Sequence, residues 1–101
     1  RIRGLAYRNF MKKNSGMLFI FPEASIHSMW MVNTYIPLSV AFLDKNGMIL
    51  NIIDMSPHTR TRNSATSKAK YALEMNLGWF SSRSIKAGEK ITGLEKAPNA
   101  E

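Results

Sequence analysis

Apolar positions change their rhythm once along this chain. Within residues 2–13, Ile2, Leu5, Ala6 and Phe10 recur at helical spacing and Gly16 supplies a stop, so the pattern predicts one short N-terminal helix. From Met17 onward the helical period is lost. Residues 17–21 are a continuous apolar run ended by Pro22, a length that suits a buried strand. Residues 28–33 predict a second strand. Residues 38–43 predict a third, with Leu38, Val40 and Phe42 on one face by the two-residue alternation of a strand. Asp44-Lys45-Asn46-Gly47 follows, and Asn46-Gly47 between apolar runs predicts a type I′ hairpin turn, because both residues tolerate positive φ. The return strand covers residues 48–55 and is closed by Pro57.

Residues 58–68 are polar and read as a loop or an exposed edge. Residues 69–76 have a composition that suits a helix, yet Ala69, Tyr71, Leu73 and Met75 alternate with Lys70, Ala72, Glu74 and Asn76, and the period decides for a strand. Gly78 breaks it. A turn of helix over 79–84, a tight turn over 85–89, a last strand over 90–94 and a frayed tail over 96–101 complete the reading. The chain is thus expected to form one domain over residues 1–95. Its fold class is mainly β, a compact antiparallel sandwich or barrel with one short N-terminal helix. The expected core holds Leu18, Ile20, Trp30, Leu38, Val40, Phe42, Ile52 and Leu73.

Composition agrees with a single folded unit: 101 residues, 45% hydrophobic and 21% charged, too apolar for a disordered segment. The absence of cysteine excludes disulfides, thiolate metal sites and cysteine nucleophiles. No apolar run approaches the roughly 20 residues of a membrane-spanning helix. The first residue is Arg1, not methionine, which leaves room for a targeting segment ahead of it, so the compartment stays open. Charge is the lopsided quantity. Fourteen Lys and Arg against seven Asp and Glu give +7, a balance that favours polyanions or acidic surfaces as partners. Arg1, Arg3, Arg8, Lys12 and Lys13 crowd the N-terminus, and Arg60, Arg62, Lys68 and Lys70 form a second cluster with no acid among them. That second cluster could grip phosphates. It carries no aromatic to stack on bases, Tyr71 lying just beyond it.

A catalytic set is hard to assemble. His27 and His58 are the only histidines, and with Glu23, Asp54 or Glu74 they lack the spacing of a metal cage, so no metal is expected. Ser25, His27 and Asp44 include the residue types of a nucleophilic triad without a Gly-x-Ser-x-Gly elbow. Gly16, Gly47, Gly78 and Gly88 are isolated turn residues, not a phosphate loop, so no cofactor is expected.

Three stretches resemble domain-of-unknown-function family 192, an uncharacterised bacterial and archaeal family. The first is Gly4-Leu5-Ala6-Tyr7-Arg8 followed by Gly16-Met17-Leu18-Phe19-Ile20-Phe21. The second is Trp30-Met31-Val32-Asn33-Thr34 with Ile36-Pro37-Leu38, then Phe42-Leu43-Asp44 and Gly47. The third is Tyr71-Ala72-Leu73-Glu74 with Gly78, Ile85, Gly88 and Glu89. The Trp-Met-x-Asn-Thr block is the most specific of them. The resemblance implies a jelly-roll-like domain and no particular activity. The family usually has Met at Ala6, Lys at Val32 and Asp at Ser39, so one cation and one carboxylate of its pattern are missing here. It also implies a strand ahead of the Gly-Leu helix. This chain starts after that strand, so an uncovered sheet edge is expected, shielded by a homodimer or higher oligomer, or by the 56–68 loop.

Two groups of residues carry the functional expectation. Trp30, Asn33 and Tyr71, with Arg8 or Glu74 as the polar member, have the make-up of a small-ligand pocket, mostly apolar with a few directed polar groups. Arg8 and Glu74 sit in motifs that otherwise bury apolar residues, and are expected to pair with each other. The reading that follows is a non-enzymatic binding or accessory module for an unidentified small molecule or peptide. The alternative is a nucleic-acid or other polyanion binder that uses Arg60, Arg62, Lys68 and Lys70 together with the N-terminal cations.

Overall fold

The computed structural model describes residues 14–31, 34–59 and 62–93. The helix expected over residues 2–13 and the tail expected over 96–101 lie outside the described residues. In chain order the elements are β1 (Gly16–Ser25), β2 (Ser28–Met29), β3 (Leu38–Leu43), β4 (Ile49–Met55), β5 (Asn63–Ser64), β6 (Ala69–Asn76) and α1 (Trp79–Ser82). Four strands form one antiparallel sheet in the order β1-β6-β3-β4, and β2 pairs with β5 in a small antiparallel ribbon. The fold is mainly β and antiparallel, as the alternation predicts. Among the described residues the sheet is open, with β1 and β4 at its two edges and not paired with each other, which removes the barrel from the expected sandwich or barrel. Among the described residues no helix is long and apolar enough to cross a membrane.

Register explains the packing. In an antiparallel sheet, residues directly opposite each other share a face. One row across the sheet runs Phe19, Ala72, Phe42, so a small residue on β6 makes room for a phenylalanine on each neighbouring strand. The same face carries Phe21, Leu38, Val40 and Met55, joined by Met29, Met31 and Ile36 from the connecting segments. The opposite face carries a second cluster of Ala41, Leu43, Ile49, Met75 and Phe80, with Ile52, Tyr71 and Leu73 packed against it. All six residues of β3 are therefore buried, including Ser39.

Three local expectations are corrected. Pro22 does not end β1, which runs on to Ser25. Proline is tolerated here because β1 is an edge strand, and the regular pairing with β6 lapses between Ile20 and Ser25. Of the strand expected over residues 28–33, Ser28–Met29 is strand and Trp30 and Met31 are not, Met31 O instead accepting from Thr34 N–H at 3.0 Å; Val32 and Asn33 lie outside the described residues. The hairpin turn is not type I′. Asn46 does not have positive φ. Instead Gly47 N–H donates to Asp44 O at 3.0 Å, with Gly47 at φ +84°, the arrangement of a type I turn closed by a glycine bulge. Asp44 Oδ1 secures it by accepting from the backbone N–H groups of Asn46 and Met48. The strand over 69–76 and the short helix after Gly78 stand as expected. Of the last strand expected over 90–94, the described part contributes one isolated bridge, Met48 with Lys90.

Candidate functional site

Among the described residues the second face of the sheet is only partly covered, and a cleft forms there. Ser39 on β3 lies opposite Asp54 on β4, and the next row on the same face pairs Ala41 with Ile52. The buried Ser39 hydroxyl donates to Asp54 Oδ1 at 2.7 Å and accepts from Gly78 N–H at 3.0 Å. Its direction is thereby fixed. Gly78, at φ +82°, also turns the chain from β6 into α1, which brings Phe80 and Ser81 over this face. The chain then returns through residues 85–87 beside β4, held where Gly88 N–H donates to Ile49 O at 2.8 Å and Ile49 N–H to Glu89 O at 2.8 Å. Between sheet, helix and return segment lies a cleft of about 370 Å³, with Ser39, Ile52 and Asp54 on the sheet side and Phe80, Ser81, Ile85, Lys86 and Ala87 opposite.

That volume falls within the range of small-molecule sites, roughly 300–1,000 Å³. The walls combine apolar surface from Ile52, Phe80 and Ile85 with two groups of opposite charge. Asp54 accepts hydrogen bonds and Lys86 donates them, and both side chains are exposed. No histidine lines the cleft, so Ser39 has no imidazole base beside it. Its proton is committed to a carboxylate that holds it in place.

A second, smaller depression lies beside the β2–β5 ribbon. Met29 pairs with Asn63, whose side-chain amide also donates to Met29 O at 3.2 Å. This places Trp30 and Arg62, just outside the two strands, next to each other. The Arg62 guanidinium sits 5.2 Å from the centre of the Trp30 ring, within cation–π range. Together with Ser28 and Met29 they line a space of about 150 Å³. Trp30 is half-buried, not part of the closed core.

The other residues singled out by sequence are distributed as follows. Glu74 is fully buried on the face that carries Phe19 and Phe42, and it has an interaction partner. Tyr71 is half-buried among the residues of the opposite face. Three positions apart on one strand, Tyr71 and Glu74 point to different sides of the sheet. Lys68 is exposed, and Lys70 reaches Pro22 O at 3.1 Å. Arg8, Asn33 and Arg60 lie outside the described residues. His27 stacks on Phe21 with ring centres 3.7 Å apart, and His58, at φ +61°, donates its N–H to Met31 O and Thr34 O. Among the described residues, no three His, Asp or Glu side chains come together as a metal site.

Ser39, Asp54 and Lys86 were not paired by sequence reasoning, although a signal existed. Ser39 is the one polar residue in the apolar run 38–43, and Asp54 is the one acid in the return strand 48–55. A polar residue inside a buried strand needs a partner. Which partner follows only from the register.

Comparison with known proteins bears on the whole chain. The family model DUF192, described as an uncharacterised ACR, matches residues 1–93. Among solved structures, a candidate transcription regulator from Sinorhizobium meliloti 1021 aligns with a TM-score of 0.84 and 35% identity, covering 87% of this chain and 69% of that one. A protein of unknown function from Novosphingobium aromaticivorans DSM 12444 aligns with a TM-score of 0.84 and 30% identity, covering 87% of this chain and 64% of that one. The chain therefore spans about two thirds of the length of these two proteins. No protein of curated function matches it.

Proposed function

The chain belongs to the DUF192 family, whose description assigns no activity, and from that premise we propose that it is a binding module that holds a small molecule or peptide end in the cleft between sheet, α1 and residues 85–87. One observation carries this reading: a polar floor already fixed, Ser39 between Gly78 N–H and Asp54, under apolar walls. A site organised before its ligand arrives avoids the ordering cost of binding. The test compares the native protein with Ile52→Trp, whose indole would fill the cleft from the sheet side. Native mass spectrometry of gently purified protein is expected to find a small adduct on the native chain, absent from Ile52→Trp at unchanged circular dichroism. A native chain without adduct, or an adduct indifferent to the substitution, overturns the reading.

The polyanion reading keeps one specific support. No aromatic lies within the 58–70 stretch itself, but Trp30 from another segment stands against Arg62, so a stacking surface and a cation do meet. On this reading Arg62, Lys68 and Lys70, with Arg60, contact phosphates. The S. meliloti relative, described as a candidate transcription regulator, is compatible with it. Binding of a fluorescent single-stranded oligonucleotide is then expected to weaken by about tenfold or more between 50 and 200 mM salt, with several phosphates neutralised. Trp30→Ala should weaken it further at constant salt. Salt-independent binding, or none at 50 mM, removes the polyanion reading.

A further inference from the structure

We propose that the cleft is built for a zwitterion: a small molecule with an ammonium group at one end, a carboxylate at the other and an apolar spacer between them. This rests on the cleft being a ligand site. The carboxylate of Asp54 and the ammonium of Lys86 line the same cleft, yet among the described residues they are not ion-paired to each other. The two are carried by separate elements, β4 and the return segment, and so reach the cleft from different sides.

The hydrogen-bond directions assign the ends. Ser39 Oγ gives its only proton to Asp54 Oδ1, and one of its two acceptor lone pairs is engaged by Gly78 N–H. The Ser39–Asp54 unit can therefore only accept from a ligand, through the remaining carboxylate lone pairs. It selects a cationic or N–H donor group. Lys86 carries three donors and no acceptor, so it selects an anion. Between them Ile52, Phe80 and Ile85 offer apolar contact, and the hydroxyl of Ser81, which also lines the cleft, donates to Gly78 O at 3.1 Å. A ligand with one charge satisfies one end. A ligand with both satisfies both in a single binding event, and the second contact is made at high effective concentration.

The test is an amide-resolved NMR titration of the full chain at constant ionic strength. The probes are 4-aminobutanoate and 6-aminohexanoate, with the singly charged hexylamine and hexanoate as comparators. At least one amino acid is expected to move the amides of Ser39, Ile52, Asp54, Ser81 and Lys86. It should bind about tenfold more tightly than either comparator, the factor that corresponds to about 1.4 kcal/mol. In Asp54→Asn, which keeps an acceptor for Ser39, this preference over hexanoate should disappear. If hexylamine or hexanoate moves the same amides with equal affinity, the zwitterion assignment falls while the cleft stands as a ligand site. If none of the four probes moves those amides, the zwitterion assignment also falls, and the adduct measurement on Ile52→Trp decides the ligand reading by itself.

Discussion

Replacing Glu74 with alanine is expected to lower the unfolding free energy by about 3 kcal/mol or more, the range found when one member of a buried charged pair is removed. The expectation rests on where the register puts this carboxylate. Glu74 lies in a row with Met17 on β1, Val40 on β3 and Ile53 on β4, so every cross-strand neighbour on its face is apolar. Its relative exposure is 0%, in a chain with few acids to spare. An ionised carboxylate in such a place costs several kcal/mol unless it is paired, and Glu74 is not without a partner. Truncation then removes one half of that interaction and leaves its other half without it. Urea unfolding of Glu74→Ala against the native chain measures the loss, and a change below about 1 kcal/mol would show that the carboxylate is dispensable. We propose Arg8 as the partner, since both residues sit in the blocks that carry the family resemblance. A double-mutant cycle between Arg8→Ala and Glu74→Ala should then give a coupling energy above about 1 kcal/mol, and additive losses would exclude the pair.

The strands of this fold were legible because their periods are unambiguous where it matters. The alternation in residues 69–76 outweighed a composition that suits a helix, and β6 now lies between β1 and β3 in the sheet. What the pattern could not give was the face. A continuous apolar run has no alternation to read, so residues 17–21 left open which side chains point to the closed core. Phe19 and Phe21 do so, while the expected Leu18 and Ile20 are half-buried on the other side. Likewise Leu38, Val40 and Phe42 are buried as expected, but Ala41 and Leu43 are buried too. The reason is tertiary: α1 and the segment after it return over the second face, and no local signal in β3 reports that cover.

Legibility of the candidate site followed the same division. Single residues with unusual surroundings stood out. Glu74 and Trp30 did so from the motif blocks, and Ser39 from its departure from the family pattern. Contacts between segments distant in sequence did not. The 58–70 cluster read as cations without an aromatic, because the aromatic that meets Arg62 comes from the segment after β2. Asp54 entered the sequence reading only as a metal donor without the right spacing and Lys86 was not singled out, because only the β3–β4 register and the return of residues 85–87 bring them to one cleft.

The same reliance on register makes Gly16 the other position of large expected effect. Gly16 opens β1 directly opposite Met75 on β6. Its φ is not positive, so glycine is not required there by backbone conformation. The requirement is space. A Cβ built on Gly16 would overlap Met75 Sδ and stand 2.7 Å from the backbone oxygen of Glu74. The thioether can move, at some cost, since Met75 is 5% exposed and packed in the second cluster. The carbonyl cannot move freely, because β6 is held between β1 and β3 and shifting it would disturb both ladders. Gly16→Ala is therefore expected to destabilise the chain by about 3 kcal/mol, the upper part of the overpacking range. The two contacts can be separated by adding Met75→Ala. If the sulfur were the whole obstacle, the double variant would recover the stability of Met75→Ala alone. With the carbonyl limiting, recovery is expected to be partial. An unfolding midpoint for Gly16→Ala equal to that of the native chain would mean that β1 can draw away from β6 at its first residue without loss, against the close approach seen between Gly16 and the Glu74 carbonyl.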